Sequence, residues 1–189
     1  LREELIVATK CGLTWREAGG KLERNLRPES IRRECEASLR RLRIESIRAT
    51  TASASGHPTT CMSTADLMAA LFFAEMRFDP AHPQHPLADR LVMSKGHAAP
   101  LLYAMWSEAG FVPREQLTDL RLFTSDLEGH PTPRLPFVDV ATGSLGQGLS
   151  VAAGLGLAAR MEKNGRRIYC IIGDGEAREG QISEALDFI

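Results

Sequence analysis

Cysteine is scarce and dispersed in this chain: Cys11, Cys35, Cys61 and Cys170 are its four. They have neither the paired spacing of a metal site nor the density of a small disulfide scaffold, so they are expected to be reduced and structural. A dominant charge is also missing, since 23 Lys and Arg stand against 24 Asp and Glu for a net charge of −1. That balance argues against a nucleic-acid partner and against an anionic membrane surface. No apolar run approaches the length of a membrane span, and no basic-then-apolar leader opens the chain, so a cytoplasmic protein is expected. Internal repeats and low-complexity segments are lacking too. What remains is the composition of a globular protein, 43% hydrophobic and 25% charged over 189 residues. The chain opens on Leu1 and stops at Ile189 inside an expected helix, so both ends read as cut.

The organising stretch is Arg167 to Glu176. Residues 168–172 are an unbroken apolar, β-rich run, as in a parallel strand covered on both faces. Gly173 and Gly175 then force a tight turn, and Glu176, Glu179, Ile182, Glu184, Ala185 and Leu186 read as a helix with acidic residues in its first turns. Asp174 thus emerges at a strand's carboxyl end, where open α/β sheets bind ligands.

Upstream, residues 5–9 read as a strand ending at Lys10, followed by a glycine-rich and charged loop from Thr14 to Leu26. A helix is expected from Pro28 to about Thr50, with Ile31, Cys35, Leu39, Leu42, Ile47 and Ala49 on its apolar face. Gly56 and Pro58 end it, and Ser63 or Thr64 caps a second helix whose core face carries Leu67, Leu71 and Phe72. A proline-rich loop covers 78–87. Residues 90–93 read as a strand, 98–109 as a helix closed by Gly110, and 113–124 as a shorter helical stretch. Residues 138–141 read as a strand leading into the Gly143–Gly148 turn, with a helix over 149–161 and a turn at Asn164-Gly165. The expected class is α/β: an open parallel sheet with helices on both faces, truncated at the carboxyl end, with a strand-loop-helix appendage at the amino end.

Three histidines, His57, His97 and His130, directly follow glycine. An imidazole that must reach into a cleft gains from a turn with free backbone dihedrals, so these three are candidate site residues. His82 and His85 lie among prolines and are read as inert. The three candidates lack the ligand spacings of a zinc site. The glycine turns at 143–148 and 173–175 each precede a helix and offer backbone N–H groups to an anion. Two such turns suit a diphosphate, and Asp174 suits the hard divalent cation that would neutralise it.

These motifs, in this order, resemble the amino-terminal half of transketolases over residues 42–189. The resemblance implies thiamine diphosphate as cofactor, with Asp174 a ligand of Mg2+ or Ca2+ and Gly175 beside it; the remaining metal ligands would follow Ile189. It implies that Gly143, Ser144 and Leu145 line the cofactor, that Lys95 and His97 lie near its diphosphate and thiazolium, and that Thr60 contacts it. His57 and His130 would face the reacting substrate oxygens, and Glu179 would stand at a subunit interface near the network that activates the cofactor. The implied reaction moves a two-carbon ketol unit between sugar phosphates. It would require a second subunit of a homodimer, or a separately encoded carboxyl-terminal half, to supply the pyrimidine-binding domain, leaving the isolated fragment inactive. Residues 1–41, through IVATKCGLTW and ERNLRPESIRRECEASLRRL, resemble aldo-keto reductases instead. In that family Lys10 would belong to a catalytic tetrad whose other members this chain lacks. The chain therefore reads as a fusion with its junction within Leu39–Arg43, and the competing readings are a reductase remnant or a non-catalytic half-subunit.

Overall fold

The structure, a computed structural model, describes residues 13–15, 22–24 and 28–189. The expected strand at 5–9 and its Lys10 lie outside the described residues. Within the stretch expected to be a loop, β1 (Leu13–Trp15) and β2 (Leu22–Arg24) pair antiparallel, with Leu13 opposite Arg24.

Helix α1 runs from Pro28 to Ala52, unbroken across the expected junction. Its buried stripe is only in part the apolar one expected: Leu42 and Ala49 are in the core and Leu39 packs against it, but polar residues share the stripe. Leu42 and Ala49 are buried alongside Ser38, Glu45, Ser46 and Thr50, whereas Ile47 is 47% exposed. Small hydroxyl side chains let α1 approach its neighbours closely and satisfy themselves on their own helix: Ser46 Oγ donates to the Leu42 carbonyl at 2.7 Å, and Thr50 Oγ1 to that of Ser46 at 2.9 Å. Glu45 is held by the guanidinium of Arg114.

Helix α2 spans Pro58–Ala70 and continues as a π-helical turn over Leu71–Glu75. It starts five residues before the expected cap at Ser63. Proline at the first helical position needs no N–H partner and has its φ already set, so Pro58 opens this helix rather than merely ending the one before. The buried face is Cys61, Thr64, Ala65, Met68 and Ala69, with Phe72 buried as expected, whereas Leu67 is 57% exposed. Helix α3 (Ala99–Glu108) is closed by Gly110 at φ 90° and is buried from Ala99 to Trp106. Trp106 stacks on Phe137 at 4.5 Å and meets Phe72 edge-on at 5.2 Å. The helical stretch expected at 113–124 is reduced to a 3-10 segment, Arg114–Asp119.

Strands β3 (Arg90–Val92) and β4 (Ile168–Cys170) pair in parallel, Arg90 opposite Ile168 and Val92 opposite Cys170. Helix α4 (Gln147–Glu162) precedes β4; α5 (Gly180–Phe188) follows a 3-10 turn at Glu176–Arg178. Side chains alternate along β4 and its extension. Tyr169 and Ile171 face the main core with α3, while Cys170 and Ile172 join Leu149, Ile182 and Ala185 of α4 and α5. Helices therefore flank the sheet on both faces, as expected. Coverage of the second face is incomplete: a groove of about 590 Å³ between α4 and α5 reaches Ile168 and Cys170, so β4 is half-buried rather than sealed. The strand expected at 138–141 does not form, and the Gly143 turn follows a loop.

At the amino ends of β3 and β4, the buried carboxylate of Asp89 ties three segments together. It accepts from the backbone N–H of Arg77 at 3.0 Å and of Arg167 at 2.9 Å, and from both guanidinium groups. No helix among the described residues is long and apolar enough to cross a membrane.

Candidate functional site

The opposite, carboxyl ends of the two strands carry the candidate residues. The Lys95 N–H bonds to the Ile171 carbonyl at 2.8 Å, extending the ladder one step before β3 turns into a 3-10 segment, Gly96–Ala98. That turn presents His97. His57 sits at the N-cap of α2 with φ −125° and no side-chain capping bond, its ring 4.7 Å from that of His97. The ring of His130 stands 5.3 Å from that of His97. Its loop is fastened from below by Tyr103, whose hydroxyl donates to the carbonyls of Glu128 at 2.8 Å and His130 at 3.2 Å. Three imidazoles from distant segments thus form one row.

The two glycine turns close on this row. Gly143 has φ +127°, and a Cβ there would stand 2.6 Å from Cδ2 of His130; only glycine fits. Gly96 packs against Gly143 just as closely, with a would-be Cβ 2.7 Å from the Gly143 nitrogen. Thr142 Oγ1 anchors the turn on the Met93 carbonyl at 2.7 Å. Across the rim, the alkyl stem of Lys95 lies over Gly173, and its ammonium donates to Ser63 Oγ at 3.1 Å. Asp174 and Gly175 follow at once and are exposed, as are Ser144 and Leu145. Thr60 lies in the first turn of α2, its carbonyl accepting from Ser63 Oγ at 2.9 Å. Glu179, exposed at the N-cap of α5, packs its Cβ about 3.5 Å from where a side chain on Gly146 would start. The three histidines, Lys95 and the two glycine turns are thus linked by contacts into one rim, and Thr60, Ser144, Leu145, Asp174 and Gly175 lie on the segments that form it. His82 does not join them: it pairs with Asp79 at 2.8 Å in an exposed loop. Among the described residues no three His, Cys, Asp or Glu side chains are grouped to hold a metal ion.

One expectation about the turns is corrected. The N–H groups of Gly146 and Gly173 do not face an open cradle: both donate at 2.9 Å to the carboxylate of Glu176, which also accepts from Ser94 Oγ at 2.5 Å. Glu176 is 2% exposed and lies in a 3-10 turn, not in the helix that its sequence position suggests. A second residue that sequence reasoning misses is Arg121. Its backbone takes φ 63°, and its guanidinium covers Gly129 and donates to Ser55 Oγ at 2.7 Å, spanning the loops that carry His130 and His57. Nothing in the local sequence singles it out.

His130 titrates below its ordinary value of 6.5, first because burial disfavours the charged ring and then because His97, Arg121 and His57 add positive charge around it. The unfolded chain takes up this proton first, so the group destabilises the fold as pH falls through about 6.5. Arg121→Gln is expected to raise the His130 midpoint, read from the imidazole Cε1–H resonance against pH; an unmoved midpoint would remove Arg121 from the site's electrostatics. Burial pushes the Cys61 and Cys170 thiols up to about 11, so both stay protonated near neutrality.

Comparison with known proteins gives this rim a family. Residues 32–189 match the family described as "Transketolase, thiamine diphosphate binding domain", a match that begins inside α1, upstream of Leu42. Over 149 residues, 78% of this chain, the sequence is 56% identical to a transketolase of Pongo abelii, of which it covers 24%. Over 130 residues, 69% of this chain, it is 44% identical to one of the subunits of an apulose-4-phosphate transketolase of Phocaeicola vulgatus, and it covers 46% of that polypeptide. The solved transketolase from Leishmania mexicana superposes with a TM-score of 0.75 at 34% identity, covering 80% of this chain and 24% of that one. The chain thus spans about a quarter of the length of the full transketolases it matches. On this match, made by the same residues that build the rim, the chain belongs to the transketolase family and carries its thiamine diphosphate binding domain.

Proposed function

We propose that the rim at the carboxyl ends of β3 and β4 holds the diphosphate of thiamine diphosphate through a divalent cation, as the cofactor half of a transketolase. The observation that carries this reading is the approach of the Gly143 turn to a row of three imidazoles, with Lys95, two residues from His97, lying over the Gly173 turn that leads into Asp174. The residues suit the group: the Lys95 ammonium as a cation, the exposed Asp174 carboxylate to ligate Mg2+ or Ca2+, and open space at Gly175, where nothing lies within 4 Å of a would-be Cβ. Lys95, His97, Thr60, Gly143, Ser144, Leu145 and Gly175 are the proposed cofactor contacts, and Asp174 the metal ligand.

When bound, thiamine diphosphate supplies carbanion stabilisation, the hard part of moving a two-carbon ketol unit from a ketose phosphate to an aldose phosphate. The protein's share is orientation and proton handling. His130, kept neutral near pH 7 by its surroundings, accepts a proton from a substrate hydroxyl; His57, beside His97, polarises the carbonyl oxygen. Glu179, exposed beside the Gly146 turn, is placed to meet a partner rather than the substrate. The partner is a second copy of the enzyme, or a separate carboxyl-terminal polypeptide, that supplies the pyrimidine-binding domain. A split arrangement has a parallel in the Phocaeicola vulgatus relative, which is one of the subunits of its enzyme, while the transketolase of Pongo abelii matches at higher identity. We assign residues 1–41 to an aldo-keto reductase-like appendage on the resemblance of its sequence alone, its last ten residues being shared with the transketolase match that begins at residue 32.

Isothermal titration of the chain with thiamine diphosphate is expected to give weak binding that needs Mg2+, with negligible ketol transfer in a coupled assay. Robust turnover by the chain alone, or no binding at millimolar cofactor with Mg2+, would overturn the assignment. Saturable quenching of NADPH fluorescence would support a reductase instead.

A further inference from the structure

We propose that Glu176 is the positioning residue that sets the spacing of the rim's segments, a reading that rests on the cofactor assignment above. Its single carboxylate bonds to three stretches far apart in sequence. Oε1 accepts from Ser94, at the end of β3 next to Lys95 and His97, and from the N–H of Gly146, in the turn that begins at Gly143. Oε2 accepts from the N–H of Gly173, beside Asp174. The imidazole-bearing turn, the first glycine turn and the metal-ligand turn are therefore all referred to one buried group.

Packing shows how tight the arrangement is. A Cβ on Gly148 would overlap Ser94, so the amino end of α4 rests directly on the residue that Glu176 holds. Three donors converge on one carboxylate shielded from water, so each bond is costly to leave unmade. No arginine or lysine is among these partners; the charge is met by a hydroxyl and two backbone dipoles at the start of the segments it fixes. A carboxylate here also places negative charge behind the proposed diphosphate. If its main effect were electrostatic, removing it would tighten binding; if it positions the turns, removing it loosens binding. The two roles give opposite signs.

The test uses the full chain with Glu176→Gln and Glu176→Ala, read by amide hydrogen exchange and by titration with thiamine diphosphate and Mg2+. Glutamine keeps the shape but only one acceptor oxygen, so it frees one of the two glycine N–H groups, while alanine frees both. Exchange is expected to rise about tenfold or more at Gly146 or Gly173 in the glutamine variant and at both in the alanine variant, with α3 amides unchanged. Cofactor affinity is expected to fall by about tenfold in either variant. Unchanged exchange at both glycines, or loosened turns with equal or tighter cofactor binding, overturns the proposal. Should the unaltered chain bind no cofactor, the assignment above is what fails, and the exchange result still decides whether Glu176 holds the turns.

Discussion

Replacing His130 by alanine, in the chain joined to the carboxyl-terminal portion of a transketolase, is expected to lower kcat by about 10²–10⁴-fold, the usual reach of a positioned general acid or base. The Kd for thiamine diphosphate should change by less than about threefold, because the backbone around the ring is held independently of it. Tyr103 holds the loop through the carbonyls of Glu128 and His130, and Thr142 holds the facing turn through Met93. Truncation therefore removes a proton acceptor and leaves the walls in place. The pH profile adds a check with a definite sign. The His130 midpoint lies below 6.5, so the unaltered enzyme loses activity only as pH falls through that lower midpoint, and the alanine variant loses that acid limb. Equal losses in kcat and cofactor affinity would mean that the ring is a packing element and the proton role is wrong.

Replacing Asp89 by alanine is expected to cost about 3–5 kcal/mol of stability, the typical penalty for removing one partner of a buried ion pair, and to lower the melting temperature by roughly 6–20 °C. The carboxylate side chain is fully buried and faces Arg77 and Arg167. Its loss strands the N–H groups of both residues at the point where the π-helical turn, β3 and β4 meet. Burial by itself would raise the Asp89 pKa, but the bonds from Arg77 and Arg167 outweigh it and hold the group below its ordinary 3.8. Its contribution is therefore present above that value and lost as pH falls through the lower folded midpoint. Thermal melts from pH 7 down to pH 2 should show the two proteins far apart near neutrality and converging in acid. A difference that persists unchanged to pH 2 would show that the lost stability is packing, not charge.

The elements that can be read from the sequence are those whose burial follows their own periodicity. Helix α3 is apolar almost throughout, and α4 ends at a left-handed Lys163, just ahead of the expected Asn164-Gly165 turn. Sequence reading fails where the buried face is made of polar or small residues. On α1, Ser46 and Thr50 go inward and Ile47 outward, because close helix packing and self-satisfied hydroxyls prevail over hydrophobicity. Pro58 reads as a stop although it is a start, since the same residue serves both. At the rim, the glycine-histidine pattern points to the turns because free dihedrals leave a mark in the sequence. Glu176 leaves no such mark. An acidic residue after a glycine turn reads as a complement to a helix dipole, and its real partners lie 82 and 30 residues away, visible only once the chain is folded.

The Asp89 tie and the proposed cofactor rim sit at opposite ends of one short strand pair. Lys95 lies six positions beyond Asp89, about 20 Å of extended chain, enough for substitutions at the two places to act independently. Drift that erased the proposed rim would accordingly leave the scaffold standing.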